Sequence, residues 1–151
     1  MNLTLVETAR SMMYHMNVNR SWWGEAIMAA AYTINRIPNT VRSKTNPFEK
    51  LYGPKPDISH FCVFASTGDL RVADRKRTKQ DSKANTCIFL GYSETSKAYR
   101  VWDLAREQLV MNRSVTLNER PPLRYEDVVV LSKPIHHANL FMMKQTKWRW
   151  E

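Results

Sequence analysis

The sequence lacks the marks of several common protein classes. Its two cysteines, Cys62 and Cys87, lie 25 positions apart in apolar surroundings, and neither belongs to a Cys-x-x-Cys pair. We therefore expect buried thiols here and no zinc finger. No run of about 18 apolar residues occurs, and no charged stretch followed by an apolar one opens the chain. The sequence thus predicts neither a membrane span nor secretion.

Acidic residues are scarce relative to basic ones. The 151 residues include 23 Lys and Arg but only 14 Asp and Glu, for a formal net charge of +9. Such an excess favours an anionic partner, nucleic acid above all. Hydrophobic residues make up 43% of the chain and charged residues 25%, both near the average of globular proteins, so a folded chain is expected.

The first 37 residues predict two helices. Ser21 is a candidate N-cap of the second helix, which presents Trp23, Ala30 and Ile34 on one side and ends before Pro38. A short connector near residues 17–20 predicts that the two helices form a hairpin.

A shorter helical turn is predicted within KTNPFEKLYGPKP, residues 44–56. Pro47 suits the first turn of a helix, and Gly53 suits the position just past its end. Because Pro54 and Pro56 prevent the helix from continuing, an extended linker and a domain boundary are expected at residues 54–60.

Beyond His60 the pattern changes to that of short β-strands. The segments are rich in Val, Ile, Phe and Tyr and are separated by polar turns; they cover residues 61–66, 69–73, 86–92, 98–103, 107–111 and 114–118. Five or six such strands predict a small barrel or sandwich. Between the second and third lies RKRTKQDSK, residues 75–83, whose charge predicts an exposed loop.

Several stretches together resemble the Pol polyprotein of copia-type long-terminal-repeat retrotransposons. They follow the order and spacing of that family over most of the chain: MNLTLVETARSMM (1–13), WWGEAIMAAAYTINRIPN (22–39), KTNPFEKLYGPKPDISHFCVF (44–64), KRTKQDSKANTCIFLGYSETSKAYRVWD (76–103) and VMNRSVTLNE (110–119). The most specific combination is IFLGYS followed by KAYRVWD, after the helical AYTINRIPN.

The resemblance implies an α+β chain. Residues 1–53 would be the helical C-terminal end of an RNase-H-like integrase core, residues 54–60 a linker, and residues 61–120 a small SH3-like β-barrel of the retroviral polymerase type. Residues 121–151 form a tail that we leave unassigned, with partial disorder or a helix as alternatives, although 126–132 could add a strand. Met1 is interpreted as an internal methionine of a longer reading frame, so the chain would be a truncated polyprotein fragment. An intracellular location is expected, in the nucleus or a cytoplasmic particle if the parent element is active.

The resemblance also bears on catalysis. The integrases of this family hold divalent metal ions with two aspartates and one glutamate, and their metal-assisted phosphoryl transfer needs all three. The glutamate belongs to a motif that precedes the residue matching Met1, and Glu7 matches a different position. The remaining candidates show no paired arrangement or zinc set: Asp57, Asp69, Asp74, Asp81, His15, His60, His136 and His137. The sequence therefore predicts no catalytic residue, no metal site, no cofactor and no enzyme activity.

Some positions depart from the family pattern. Asn46 is inserted at the usual Thr-Pro, Leu3 stands in place of an Arg, and Cys62, Ala65 and Ser66 replace an Arg, a Gly and a Cys. These changes are typical of a degraded element copy, although ordinary divergence would give the same pattern.

Non-specific binding of nucleic acid, DNA in particular, is the function that the sequence favours. The candidate residues are six bases within 13 positions: Arg71, Arg75, Lys76, Arg77, Lys79 and Lys83. A solvated hairpin connection is the alternative for this loop, and strand aromatics such as Tyr92, Tyr99 and Trp102 could either stack on bases or belong to the core.

The alternative function is that of an inert or host-recruited remnant that acts only as a protein-interaction module. The Trp22, Trp23 and Met side chains of the N-terminal helices would be uncovered unless they pack on the barrel or on another chain. Self-association, or association with the rest of an integrase, through these helices is therefore a further prediction.

Overall fold

The computed structural model describes residues 3–38, 45–71 and 84–119, and these form three helices followed by five strands. The helices are α1 (Leu3–His15), α2 (Trp23–Arg36) and α3 (Pro47–Tyr52), and a 3-10 turn (Arg20–Trp22) leads into α2. The two predicted N-terminal helices are thus confirmed. None of the helices in the described ranges is long and apolar enough to cross a membrane.

The start of α2 differs from the prediction that Ser21 is its N-cap. The side chain of Asn19 accepts a hydrogen bond from the backbone N–H of Ser21 at 2.9 Å and so begins the 3-10 turn. Trp22, in the N-cap position of α2, makes no side-chain capping bond. The prediction was wrong because Asn caps as well as Ser does, and the inserted turn moves the polar cap upstream.

Helix α3 matches the single turn that the sequence predicts. Asn46 caps it by accepting a hydrogen bond from the N–H of Glu49 at 2.7 Å, and Pro47 follows in the first turn, where no backbone donor is needed. Gly53 ends the helix with a φ of 89°, a conformation that glycine adopts without steric cost. The inserted Asn46 therefore has a structural role, and its side chain is buried.

The five strands form one antiparallel sheet in the order β4-β3-β2-β1-β5. They are β1 (Thr67–Arg71), β2 (Ala84–Tyr92), β3 (Tyr99–Asp103), β4 (Gln108–Asn112) and β5 (Val115–Asn118). Strands β1 to β4 follow one another across the sheet, and β5 returns to pair with β1. The register of β2 against β3 shifts between Phe89 and Gly91, and such a bulge bends a strand and helps a sheet to curve. The prediction of an α+β fold is confirmed.

Residues 61–66, which the pattern predicts to be a strand, are irregular. Ala65 has a φ of 62°. Its N–H donates to the carbonyl of Phe89 at 2.8 Å, and the carbonyl of Ser66 accepts from the N–H of Phe89, also at 2.8 Å. Ala65 and Ser66 thus both lie opposite Phe89, which is the arrangement of a β-bulge. The first residue of one type of bulge has a left-handed backbone and is commonly glycine, and here Ala65 takes that position. The strand prediction was wrong because these residues are apolar in order to be buried, and burial does not require an extended backbone. Here the backbone turns at Ala65. The further strand suggested at 126–132 lies outside the described residues.

From Cys87 onward, strand β2 is buried on both faces, which explains the apolar run at residues 87–90. On one face Ile88 and Leu90 join a core cluster with Met13 of α1, Trp22 of the 3-10 turn and Ala26 of α2. On the other face Cys87 and Phe89 fill the barrel interior with Leu70, Tyr92 and Val101. One strand therefore supplies both the barrel core and the surface on which the helices pack.

The apolar side of the N-terminal helices is covered by the barrel. Trp22 is only 3% exposed and meets Trp102 of β3 edge to face, with ring centroids 5.5 Å apart. Glu25 of α2 and Arg100 of β3 form an ion pair at the same junction. Of the two ways of covering Trp22 that the sequence left open, the structure shows packing on the barrel.

Candidate nucleic-acid interface

The structure describes one of the six predicted basic residues. Arg71 is the exposed last residue of β1 and pairs with Ala84, the first residue of β2. The other five, Arg75, Lys76, Arg77, Lys79 and Lys83, lie outside the described residues. We call residues 71–83 the basic segment. Arg71 begins it, Ala84 follows it, and these two residues pair across β1 and β2.

The turn between β4 and β5 lies against the start of the basic segment. The N–H of Arg71 donates to the carbonyl of Ser114 at 3.1 Å, and the carbonyl of Arg71 accepts from the side-chain amide of Asn112 at 3.2 Å. Arg113 stands between these two partners and is exposed. A further cation is therefore held beside the point where the basic segment leaves β1.

Arg113 also belongs to the wall of a cleft of about 760 Å³ between the helices and the barrel. The cleft walls carry four cations from different parts of the chain, Arg36, Lys55, Lys97 and Arg113, and two carboxylates, Asp57 and Glu94. Counted without His60, the four cations and two carboxylates give the cleft a net charge of +2. We call this space the junction cleft.

The guanidinium of Arg36 is fixed at the wall of the junction cleft. Its central carbon lies 3.4 Å from the ring centroid of Tyr32 and 4.6 Å from that of Phe48. Its Nη1 donates to the backbone carbonyl of Tyr32 at 3.2 Å. Two cation–π contacts and one hydrogen bond hold the group in place, and a guanidinium has five N–H donors in all.

The carboxylates of the cleft are exposed at its rim. Hydrogen bonds from Ser59, including a 2.9 Å bond from its backbone N–H, and the nearby His60 and Lys97 hold the pKa of Asp57 below its usual range. Asp57 therefore stays ionised at neutral pH and offsets part of the positive charge that Lys97 contributes.

The aromatic residues that could have stacked on bases mainly pack the protein. Tyr92 is 9% exposed, its ring stacks on Tyr32 at 4.2 Å, and its hydroxyl accepts from the N–H of Cys62 at 2.9 Å. Burial raises the pKa of the Tyr92 phenol. The hydroxyl of Tyr99 donates to the carbonyl of His60 at 3.2 Å. Together with the Trp102 contact to Trp22, these bonds favour the core alternative for the strand aromatics.

The thiols and the buried carboxylate of the barrel also have structural surroundings. Cys87 is fully buried, and burial raises the pKa of its thiol to about 12, with Asp69 and Asp103 adding to the effect. Cys62 is half-buried, and burial raises its pKa as well. Asp103 is fully buried and accepts from the N–H of Ala105 at 2.9 Å and from the side-chain amide of Asn85 at 3.1 Å, which orders the turn after β3.

Glu7, the carboxylate considered for catalysis, is an exposed residue on α1. Within residues 3–38, 45–71 and 84–119, no group of three His, Cys, Asp or Glu side chains is placed to hold a metal ion.

The comparison with known families identifies a small SH3-like domain in the β part of the chain. The family described as the retroviral polymerase SH3-like domain matches residues 70–130, and the five-stranded antiparallel sheet agrees with such a fold. None of the solved structures gives a significant match.

The curated relatives match a larger share of the chain than the family model does. Over 119 residues the chain is 35% identical to the retrovirus-related Pol polyprotein from transposon TNT 1-94 of Nicotiana tabacum, a match that covers 79% of this chain and 9% of the polyprotein. It is 32% identical over 115 residues to the Pol polyprotein from transposon RE1 of Arabidopsis thaliana, with 76% and 8% covered. The chain belongs with the retrotransposon Pol polyproteins, as a segment with an SH3-like domain, and it spans less than a tenth of these relatives.

The sequence pattern does not single out the four cations of the junction cleft. Arg36, Lys55, Lys97 and Arg113 are isolated in the sequence, whereas the basic segment is a dense run. Only the packing of α2 on β2 and the positions of the turns bring the four side chains to one cleft.

Proposed function

We propose that this chain is a non-catalytic nucleic-acid-binding region of a retrotransposon Pol polyprotein, and that the basic segment contacts the phosphate backbone. The observation that carries the proposal is the pairing of Arg71 with Ala84, together with the exposure of Arg71. The pairing fixes both ends of a run with six bases and two acids at one end of the sheet. Such a concentration of charge on a rigid scaffold favours contacts with phosphates, which carry little sequence information.

The proposal includes the origin of the helices and the absence of catalysis. We propose that α1 and α2 correspond to the end of an integrase core, which the sequence resemblance and the Pol polyprotein relatives support. The chain with magnesium or manganese should neither cut nor join DNA. DNA cleavage that is lost on Glu7→Ala would overturn this part of the proposal.

The binding test compares two variants that each lose three positive charges. Replacement of Arg75, Lys76 and Arg77 by Ala should weaken binding to duplex DNA and reduce the slope of log K against log salt by about 2.7, at about 0.9 for each phosphate contact. Fluorescence anisotropy of a labelled duplex over a range of salt concentrations measures the slope.

The matched control replaces Arg10, Arg20 and Lys50 by Ala, three exposed cations on the helical part. This control loses the same net charge, so it should change the slope by much less than the basic-segment variant. Equal slopes for the two variants would show that net charge alone governs binding and would refute the assignment. No binding by the unaltered chain would leave the protein-interaction alternative.

A further inference from the structure

The junction cleft is a second place where positive charge is concentrated. Its cations come from the end of α2, the chain after α3, the turn between β2 and β3, and the turn between β4 and β5. Like charges that line one cleft repel one another, and a bound anion reduces that repulsion. Asp57 and Glu94 balance two of the four charges and leave a surplus of two.

The cleft is joined to the basic segment through Arg113. This residue lines the cleft, and its two sequence neighbours, Asn112 and Ser114, make the hydrogen bonds of 3.2 and 3.1 Å to Arg71 described above. Arg71 at the start of the basic segment and Arg113 at the cleft wall are therefore close in the fold, so one polyanion can contact both.

The size of the cleft favours a thin occupant. A volume of about 760 Å³ lies in the range of about 300–1,000 Å³ that is typical of small-ligand sites. A single nucleic-acid strand can enter such a space with a few nucleotides, whereas a double helix is a wide rod whose phosphates would reach only the rim. Arg36 is already held in place by Tyr32 and Phe48, so little side-chain entropy is lost when its remaining N–H groups bind phosphate.

We infer that the junction cleft binds the backbone of single-stranded nucleic acid, as a continuation of the path that begins at the basic segment. The inference rests on the proposed function and adds to it that the helices and the barrel bind the strand together. Phosphates would lie near Arg36, Lys97 and Arg113, and Lys55 would close the other side of the path. Binding depends mainly on charge, because Tyr32, Tyr92 and Tyr99 are engaged in packing and hydrogen bonds.

The test replaces Lys55, Lys97 and Arg113 by Ala in the full chain, leaving Arg36 and its packing intact. All three side chains are exposed, so the variant should fold, which circular dichroism checks. Anisotropy with a labelled oligothymidylate should show weaker binding and a salt slope reduced by about 2, at about 0.7 per contact on a single strand. Binding to a labelled duplex should change less.

Two further variants make the outcome decisive. Exchange of Lys55 and Lys97 for Arg preserves charge and should preserve the single-strand slope. The Arg10, Arg20 and Lys50 variant is the charge-matched control and should retain the slope of the unaltered chain more nearly than the cleft variant does.

The inference and the proposed function can fail separately. If the cleft variant keeps the slope of the unaltered chain while the Arg75, Lys76 and Arg77 variant loses its slope, the cleft inference is overturned and the proposed function stands. Equal losses on oligothymidylate and duplex would overturn the preference for a single strand. If the unaltered chain binds neither probe, both proposals fail.

Discussion

The ion pair between Glu25 and Arg100 joins the helices to the barrel, and its disruption should destabilise the whole chain. The Nη2 of Arg100 donates to both carboxylate oxygens of Glu25, at 3.0 and 3.1 Å, and each side chain is 11% exposed. At about 3 Å and an effective dielectric constant of about 20, the attraction is about 5 kcal/mol. Desolvation costs several kcal/mol for each ion, so the intact pair adds little net stability.

Removing one partner has a much larger effect, because the other charge stays buried without its counterion. We expect Glu25→Ala to lower the free energy of unfolding by about 3–5 kcal/mol, a large part of the 5–15 kcal/mol that is usual for a domain. Urea titrations followed by circular dichroism and by tryptophan fluorescence measure this change. Trp22 and Trp102 lie at the same junction, so fluorescence reports on its opening.

Two comparisons separate burial of the pair from a general effect of substitution. Glu7→Ala makes the same change at an exposed position of α1 and should shift stability by about 0.5 kcal/mol or less. Glu25→Leu combined with Arg100→Met removes both charges and should be near neutral or stabilising. A loss below about 1 kcal/mol for Glu25→Ala would refute the view that a buried pair holds the junction.

Three other positions give predictions of the same kind. A Cβ on Gly68 would overlap the carbonyl oxygen of Thr116 on β5, so Gly68→Ala should lower the free energy of unfolding by about 1–3 kcal/mol. A Cβ on Gly24 of α2 meets nothing within 4 Å, so Gly24→Ala should raise it by about 0.5–1 kcal/mol. Thermal unfolding measures both changes. Asn46→Ala should cost about 1 kcal/mol in the same assay and Asn46→Asp much less, because only the latter retains an acceptor for the α3 cap; equal losses would contradict the capping role. Burial raises the pKa of the Cys87 thiol to about 12. Above about pH 8.5 the unfolded chain releases this proton while the folded chain keeps it. The free energy of unfolding should therefore fall by up to about 1.4 kcal/mol per pH unit until about pH 12. Cys87→Ala should show a shallower decline in urea titrations, and an unchanged decline would refute this source.

The sequence predicted the local elements well where local signals decide them. The single turn at Pro47–Tyr52 has an Asn, a Pro and a Gly at the positions that begin and end a helix. Strands β2 to β5 contain the β-branched and aromatic residues that favour strands, whereas β1 (TGDLR) has few of them. The failures at Ser21 and at residues 61–66 share a cause: several nearby backbone arrangements satisfy the same composition, and tertiary contacts choose among them. The hydrogen bonds of Ala65 and Ser66 to Phe89 come from a strand more than twenty positions away.

By itself, then, the sequence determined the helical and β parts of the chain, the relationship to Pol polyproteins, and the concentration of basic residues between β1 and β2. Only the tertiary structure decided that β2 is buried on both faces from Cys87 onward, that Glu25 meets Arg100, and that Arg113 lines the junction cleft while its sequence neighbours bond to Arg71. The physical reason is distance along the chain. Capping, turns and charge density depend on residues a few positions apart, whereas Glu25 and Arg100 are separated by 75 positions and meet because α2 and β3 share one apolar interface.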